Sequence, residues 1–248
     1  RIYAEDPAQG FLPSPGLIKY YEEPAFNQGT TIRIDGMQLQ NGDTISGDFD
    51  PMISKLIVSA ATRDEAREAM LSALQQYHIK GIKTNIEFLT SLMQLPDYIH
   101  NNISTKYIDD HLDKINNYIK QKKEEADITV PLAAALIKSL DNDHIQQKNI
   151  WHHIGHWRHI KITDIIVNGK TVSIELIKHG YLQSVFILNN KRYEAELIHK
   201  GNIHYTLMQD GTLHELSIYE IRPGSYEITC QEGTHLITRP DIFYVDAA

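Results

Sequence analysis

The chain has 248 residues, a formal net charge of −8 and 42% apolar residues. That is enough apolar content for one large or two ordinary domains, and too acidic a balance for gripping a nucleic-acid backbone, which needs clustered Lys and Arg. The one cysteine, Cys230, excludes an intrachain disulfide or a cysteine zinc site and suits a reducing compartment, and no apolar run nears the ~20 residues that span a bilayer.

Residues 1 to about 60 read as short strands and turns. Thr31-Ile32-Arg33-Ile34 alternates, Asn41-Gly42 and Ser46-Gly47 are turn pairs, Asp50-Pro51 reads as a strand-entry turn, and Lys55 to Ala60 is a short apolar run fit for a buried strand. A helix is predicted to begin at Thr62, since Glu65 three residues on completes a capping box. Ala66, Ala69, Met70, Ala73, Leu74 and Tyr77 then recur on one helical face, and Gly81 stands where a helix stop belongs. Thr84 and Glu87 repeat the capping pattern ahead of Phe88, Leu89, Leu92 and Met93, and the segment ends before Pro96. A third helix is predicted from Thr105 to about Glu125, with Ile108, His111, Leu112, Ile115 and Ile119 on one face.

The charge run Lys120 to Glu125 marks the expected boundary, because the pattern changes there. Pro131 to Leu140 is apolar nearly all round, which predicts a helix buried on most sides. From Ile160 the period switches to two. Asn168-Gly169, Asn189-Asn190, Lys200-Gly201-Asn202, Asp210-Gly211 and Glu232-Gly233 separate short β-type runs, the signature of an antiparallel meander or barrel. One apolar helix ahead of such strands suggests that the sheet wraps the helix, hiding the apolar surface of both. The expected class is α+β: a mixed strand and helix subdomain over residues 1–115, a linker or helix extension over 116–126, and a helix with a β-barrel over 127–248.

Motifs for a self-contained catalytic centre are missing. There is no Gly-x-Gly pair, no Walker lysine loop, and no nucleophile elbow around Ser14 or Ser54. His152, His153, His156 and His159 have metal-like spacing, yet the nearest carboxylates are Asp143 and Asp164, and packing beside Trp151 and Trp157 is the plainer reading. No metal site is therefore assigned. Glu5, Asp6 and Lys55 are an acid/base set by residue type only, and structural charges around the turn at Asp6-Pro7 are the simpler account.

Four ordered motifs carry more: Arg1-Ile2-Tyr3-Ala4-Glu5-Asp6-Pro7, Phe11-Leu12-Pro13-Ser14-Pro15-Gly16, Phe49-Asp50-Pro51-Met52-Ile53-Ser54-Lys55-Leu56-Ile57 and Gly81-Ile82-Lys83-Thr84-Asn85. Together they resemble the carboxyl-terminal part of biotin carboxylase, the component of biotin-dependent acyl-CoA carboxylases that carboxylates biotin with ATP and bicarbonate. The likeness runs from Arg1 to about Leu112, with Arg63, Ala66, Leu74 and Phe88 where the family has its helix pattern. Phe49 departs from the Tyr common in bacterial acetyl-CoA carboxylases. The resemblance implies that Arg1 lies by the biotin ureido oxygen and stabilises the enolate formed there, and that Thr105 and Lys106 fall near the ATP adenine.

The second half resembles the linking (BT) domain of the multidomain subunits, a helix inside an antiparallel barrel that docks on the carboxyltransferase β subunit. Trp151 to Arg158 is most like methylcrotonyl-CoA carboxylase α subunits, with propionyl- and geranyl-CoA carboxylases open. The resemblance places an ATP-grasp core upstream of Arg1 and a biotin carrier domain downstream of Ala248. None of the methionines at 37, 52, 70, 93 and 208 precedes a lysine, so no biotinylation motif is present. The expectation is an interior segment of an ATP-dependent ligase, bacterial cytoplasmic or in the mitochondrial matrix. Biotin and ATP/Mg would serve the parent enzyme, and this segment alone would be inactive with none bound. The competing expectation is a free-standing, non-catalytic interaction module that binds a partner by adding a strand at a sheet edge. For the carboxylase segment the loop from Leu140 to Ile150, ending at Trp151, is the expected docking element, the alternative being that Trp151 and Trp157 plug the end of the barrel.

Overall fold

In a computed structural model of the chain, which describes residues 1–25, 31–146, 162–180 and 182–240, the contacts divide into two compact units, Arg1–Glu125 and Ala126–Ala248. The first unit opens with β1 (Ile2–Tyr3), β2 (Glu5–Asp6), β3 (Leu12–Pro13), β4 (Gly16–Leu17), β5 (Tyr20–Glu22), β6 (Thr31–Gly36), β7 (Thr44–Ile45) and β8 (Met52–Ser59). Helix α1 (Arg63–Gln76), β9 (His78–Lys80), α2 (Ile86–Leu92), α3 (Pro96–Ile99) and α4 (Tyr107–Glu125) follow. The strand predicted at Lys55 begins three residues earlier and is the middle of an antiparallel sheet ordered β1-β8-β6. Asp50 starts it: its carboxylate accepts the Met52 N–H at 3.0 Å, the turn expected of Asp-Pro. Ser54 and Leu56 turn to one face of β8, where Ile2 and Ile32 join them in the core.

Helix α1 begins at the capping box: Thr62 Oγ1 accepts the Glu65 N–H and the Glu65 carboxylate accepts the Thr62 N–H, each at 3.2 Å. Ala73 and Leu74 are buried with Leu71. Gly81 is no helix stop. The helix ends at Gln76, Tyr77 is its C-cap, and β9 intervenes, pairing with β5. Thr84 does not cap α2 either; the N-cap position is Asn85, whose side chain bonds elsewhere. The face predicted for α4 is out of phase at its start. His111 has φ −128°, a kink that rotates the first turn, so Tyr107 is buried while Ile108 is exposed. Beyond the kink Ile115 is fully buried as predicted. Asp97 fastens the first turns of α4 by accepting from Lys114 Nζ at 2.9 Å and from Tyr107 OH at 2.7 Å. The helix continues through 116–125, where Lys123 meets Glu87 at 2.7 Å. Phe88, Leu92, Leu95, Tyr107 and Ile115 form a second small core, with Phe11 edge-on to Phe88 at 5.1 Å.

In the second unit α5 (Thr129–Gln146) precedes β10 (Ile162–Val167), β11 (Lys170–Gly180), β12 (Gln183–Leu188), β13 (Lys191–Gly201), β14 (His204–Gln209), β15 (Thr212–Arg222), β16 (Ser225–Cys230) and β17 (Gly233–Thr238). The eight strands close as an antiparallel barrel in chain order, which removes every sheet edge. The fold is thus α+β with an antiparallel barrel, as expected. Asp127 starts α5, its carboxylate accepting the Thr129 N–H at 2.9 Å and the Thr129 hydroxyl; the hydroxyl bond is the main reason its carboxyl is held below the usual range. Leu132, Ala133, Ala134, Leu136 and Ile137 are wholly buried and share one core with Ile165, Ile174, Phe186, Leu197, Leu207, Ile218, Ile228 and Ile237. An apolar helix ringed by the inward positions of the strands is the arrangement the sequence predicts, and each such side chain contributes roughly 1.5–3 kcal/mol of burial.

The strands repeat. The first, third, fifth and seventh strands of the barrel begin at Ile162, Gln183, His204 and Ser225, and the ones that follow them at Lys170, Lys191, Thr212 and Gly233, a step of twenty-one residues each time; the first three followers are 11 residues long and the last is six. Positive φ at Asn168-Gly169, Asn189-Asn190 and Asp210-Gly211 makes three of the hairpin turns type I′, whose twist matches the flanking strands. Each of the three 11-residue strands carries a register shift near its end, at Leu176/Lys178, His199/Gly201 and Glu220/Arg222, bending it around the barrel. Burial pushes the Cys230 thiol up to about 12, which makes it an inert core residue.

Candidate active site around Arg1

The four motifs lie far apart in sequence and meet behind Arg1. Ile2 pairs with Ser54 and Tyr3 with Met52, and the Ala4 N–H reaches Pro51 O at 2.8 Å, so the first motif lies along the third. Ser14 N–H donates to Ala4 O at 2.7 Å, and Ser14 Oγ accepts the Lys83 N–H at 3.0 Å, tying the second motif to the first and fourth. Gly81 lets the fourth motif approach: at φ +107° it lies so close to β4 that a Cβ would stand 2.2 Å from Leu17 O. Asn85 closes the set. Its Oδ1 accepts the Tyr3 N–H at 2.9 Å, its Nδ2 donates to Arg1 O at 3.2 Å, and its own N–H donates to Tyr3 O at 3.2 Å.

Arg1 itself is exposed, while Ile2 beside it is 1% exposed and Asn85 6%. The local result is a guanidinium in solvent on a main chain held from two sides. Such a group is always charged and presents planar donors, which suits it to an oxygen that gains negative charge. The three other charges singled out by type do not converge. Asp6 caps a short 3-10 turn, its carboxylate accepting the Ala8 N–H at 3.0 Å and Gln9 Nε2 at 3.1 Å. Lys55 is exposed and stands opposite Asp35 of β6. The Glu5 carboxyl is raised, first by loss of solvent and then by the charge of Asp50. Asp6 is thus a structural charge of the turn at Asp6-Pro7.

Thr105 and Lys106 are exposed at the head of α4, where the Asp110 N–H donates to Lys106 O at 3.0 Å. They adjoin the second small core rather than the sheet that carries Arg1. Among the described residues there is no group of three or more His, Cys, Asp or Glu able to hold a metal ion, and no helix long and apolar enough to cross a membrane. Trp151, Trp157 and the histidines at 152, 153, 156 and 159 lie outside the described residues; of the expected docking loop, residues 141–146 continue α5 instead, and 147–150 lie outside the described residues. The residue of this cluster that reading by residue type misses is Asn85. Its signal is an Asn directly before a helix that it does not cap through its side chain.

Residues 1–110 match the family model of the biotin carboxylase C-terminal domain. The relatives are biotin-dependent carboxylases. The biotin carboxylase of Halalkalibacterium halodurans is 43% identical over 112 residues, 45% of this chain and 24% of that protein. The mitochondrial propionyl-CoA carboxylase alpha chain of Homo sapiens is 33% identical over 191 residues, 71% of this chain and 26% of that protein. The mitochondrial methylcrotonoyl-CoA carboxylase subunit alpha of Mus musculus is 36% identical over 111 residues, 45% of this chain and 15% of that protein. The chain therefore spans about a quarter or less of the length of these relatives.

Proposed function

We propose that this chain is a segment of the α subunit of a biotin-dependent acyl-CoA carboxylase, an ATP-dependent ligase, in which Arg1 stabilises the biotin enolate and the second unit docks on the carboxyltransferase β subunit. The observation that carries the reading is the convergence of the four motifs on the main chain of Arg1, within a domain that matches biotin carboxylase. Loss of a proton from the ureido nitrogen places negative charge on the ureido oxygen, and an exposed guanidinium fits that oxygen. Biotin, when bound, supplies the nitrogen that takes the carboxyl group. For ATP and Mg the fit is partial: Thr105 and Lys106 would face the adenine, and the described residues offer no carboxylate set for the metal. The groups that form carboxyphosphate then belong to the parent subunit's ATP-grasp core, and the biotin is brought by its carrier domain.

The second unit, with its closed barrel around α5, is proposed as a BT-type linking domain. The methylcrotonyl-CoA reading stands on Trp151 to Arg158. A second reading, propionyl-CoA carboxylase, is favoured by the 191-residue match, which is longer than the first unit and so runs into the second. The acyl-CoA that the cognate β subunit carboxylates decides between them.

The test has two arms. The purified chain is expected to capture that β subunit, and deleting residues 141–149, the end of α5 and the expected loop after it, is expected to weaken capture at least ~10-fold, as loss of an interface anchor does. The same chain is expected to release no bicarbonate-dependent phosphate from ATP above a protein-free blank. Unchanged capture after the deletion would remove the loop from the account, and no capture at all would remove the docking role. Bicarbonate-dependent phosphate release above the protein-free blank would overturn the inactivity of the segment.

A further inference from the structure

Strand β1 pairs with β8 at Ile2 and Tyr3, with a register shift between them. Asn85 adds a second hold on the same backbone. It is 6% exposed, and it is bonded to this one short strand at three points, Tyr3 N–H, Tyr3 O and Arg1 O. Both ends of its amide are used, the oxygen as acceptor and the nitrogen as donor, so Asp keeps one bond and Ala keeps neither. An arginine has four side-chain torsions, and its reach is aimed by the main chain at its base. A displacement of about 1 Å at a reacting centre costs ~10²-fold in rate.

We propose that Asn85 is a positioning residue for Arg1: it fixes the main chain from which the guanidinium projects, and its loss misdirects the charge without removing it. The proposal rests on the reading of Arg1 as the group facing the biotin ureido oxygen. It adds that the fourth motif, eighty-odd residues away, belongs to the carboxyl-transfer step. A role in folding alone predicts something else. Damage to the fold lowers every partial reaction together, whereas a misaimed Arg1 affects only the step in which biotin takes the carboxyl group.

The experiment uses the natural full-length subunit that carries this segment, as wild type, Arg1→Ala, Asn85→Ala and Asn85→Asp. Two rates are measured on each, carboxylation of free biotin and bicarbonate-dependent phosphate release without biotin, with the melting temperature alongside. Asn85→Ala is expected to lower kcat for biotin carboxylation by ~10–100-fold, while KM for ATP and the phosphate-release rate stay within ~2-fold. Asn85→Asp, which keeps the acceptor for Tyr3 N–H and loses the donor to Arg1 O, is expected to fall between wild type and Asn85→Ala. If Asn85→Ala does not fold, the Asp variant carries the test on the same two rates. Equal loss of both rates, or full biotin carboxylation in a folded Asn85 variant, would overturn the proposal. If Arg1→Ala itself leaves biotin carboxylation intact, the reading of Arg1 fails and the positioning role falls with it. Loss in Arg1→Ala without loss in either Asn85 variant refutes the positioning role alone.

Discussion

Gly81→Ala is expected to destabilise the first unit by at least ~3 kcal/mol, and often to leave it unfolded. Two costs combine. At φ +107° an L side chain pays roughly 1–2 kcal/mol in backbone strain. The added Cβ would also stand 2.2 Å from Leu17 O and 2.9 Å from Lys19 N, and both are main-chain atoms. That main chain has little room to yield, because the Lys19 N–H donates to Lys80 O at 2.8 Å and the Ile18 N–H to Asp43 O at 2.7 Å. Gly211→Ala is the control. It has φ +83° in a hairpin turn, and nothing lies within 4 Å of its Cβ position, so only the ~1 kcal/mol strain remains. Urea denaturation followed by hydrogen exchange, at β5 and β9 for Gly81→Ala and at β14 and β15 for Gly211→Ala, gives the comparison. Equal losses would show that the approach to β4 is not what fixes Gly81.

Leu136→Ala is expected to cost the second unit ~3–4 kcal/mol, the range for a fully enclosed leucine whose surroundings cannot collapse. Leu136 is 0% exposed on a helix enclosed by a closed barrel, so relaxation would require the whole ring of strands to tighten. The loss should appear as faster hydrogen exchange across β12, β13, β14, β16 and β17, the strands that pack on α5. Exchange protection unchanged in those strands would mean that the barrel stands without its helix.

Features set by local chemistry were legible in the sequence. The capping box at Thr62 and Glu65 involves residues three apart, and nothing else competes for them. The barrel announced itself through period-two strands and turn pairs such as Asn168-Gly169 and Asp210-Gly211, because positive φ at both positions is a demand few residues meet. The twenty-one-residue step is equally present in the spacing of Asn168, Asn189 and Asp210. What failed was local reasoning where tertiary contacts compete. Thr84 looked like a cap, but the chain uses the next residue, Asn85, to hold β1 more than eighty positions away. Gly81 looked like a helix end because its true neighbour, Leu17, is remote in sequence. Ile108 lost its place to Tyr107 through a kink at His111 that periodicity does not contain. Arg1 is the extreme case. By residue type it is an ordinary exposed arginine, and only the motifs that converge behind it, read by resemblance, single it out.

The most direct measurement exchanges the matched region. Residues 1–110 of this chain, which match the biotin carboxylase C-terminal domain, would replace the corresponding segment of the Halalkalibacterium halodurans biotin carboxylase, which is 43% identical to this chain over 112 residues. The account predicts a folded chimaera that carboxylates free biotin with ATP and bicarbonate, and a loss of ~10²–10³-fold when Arg1 is changed to Ala, the effect of removing one preorganised charge from a developing anion. A folded chimaera whose biotin carboxylation is the same with Arg1 or Ala at that position would contradict it.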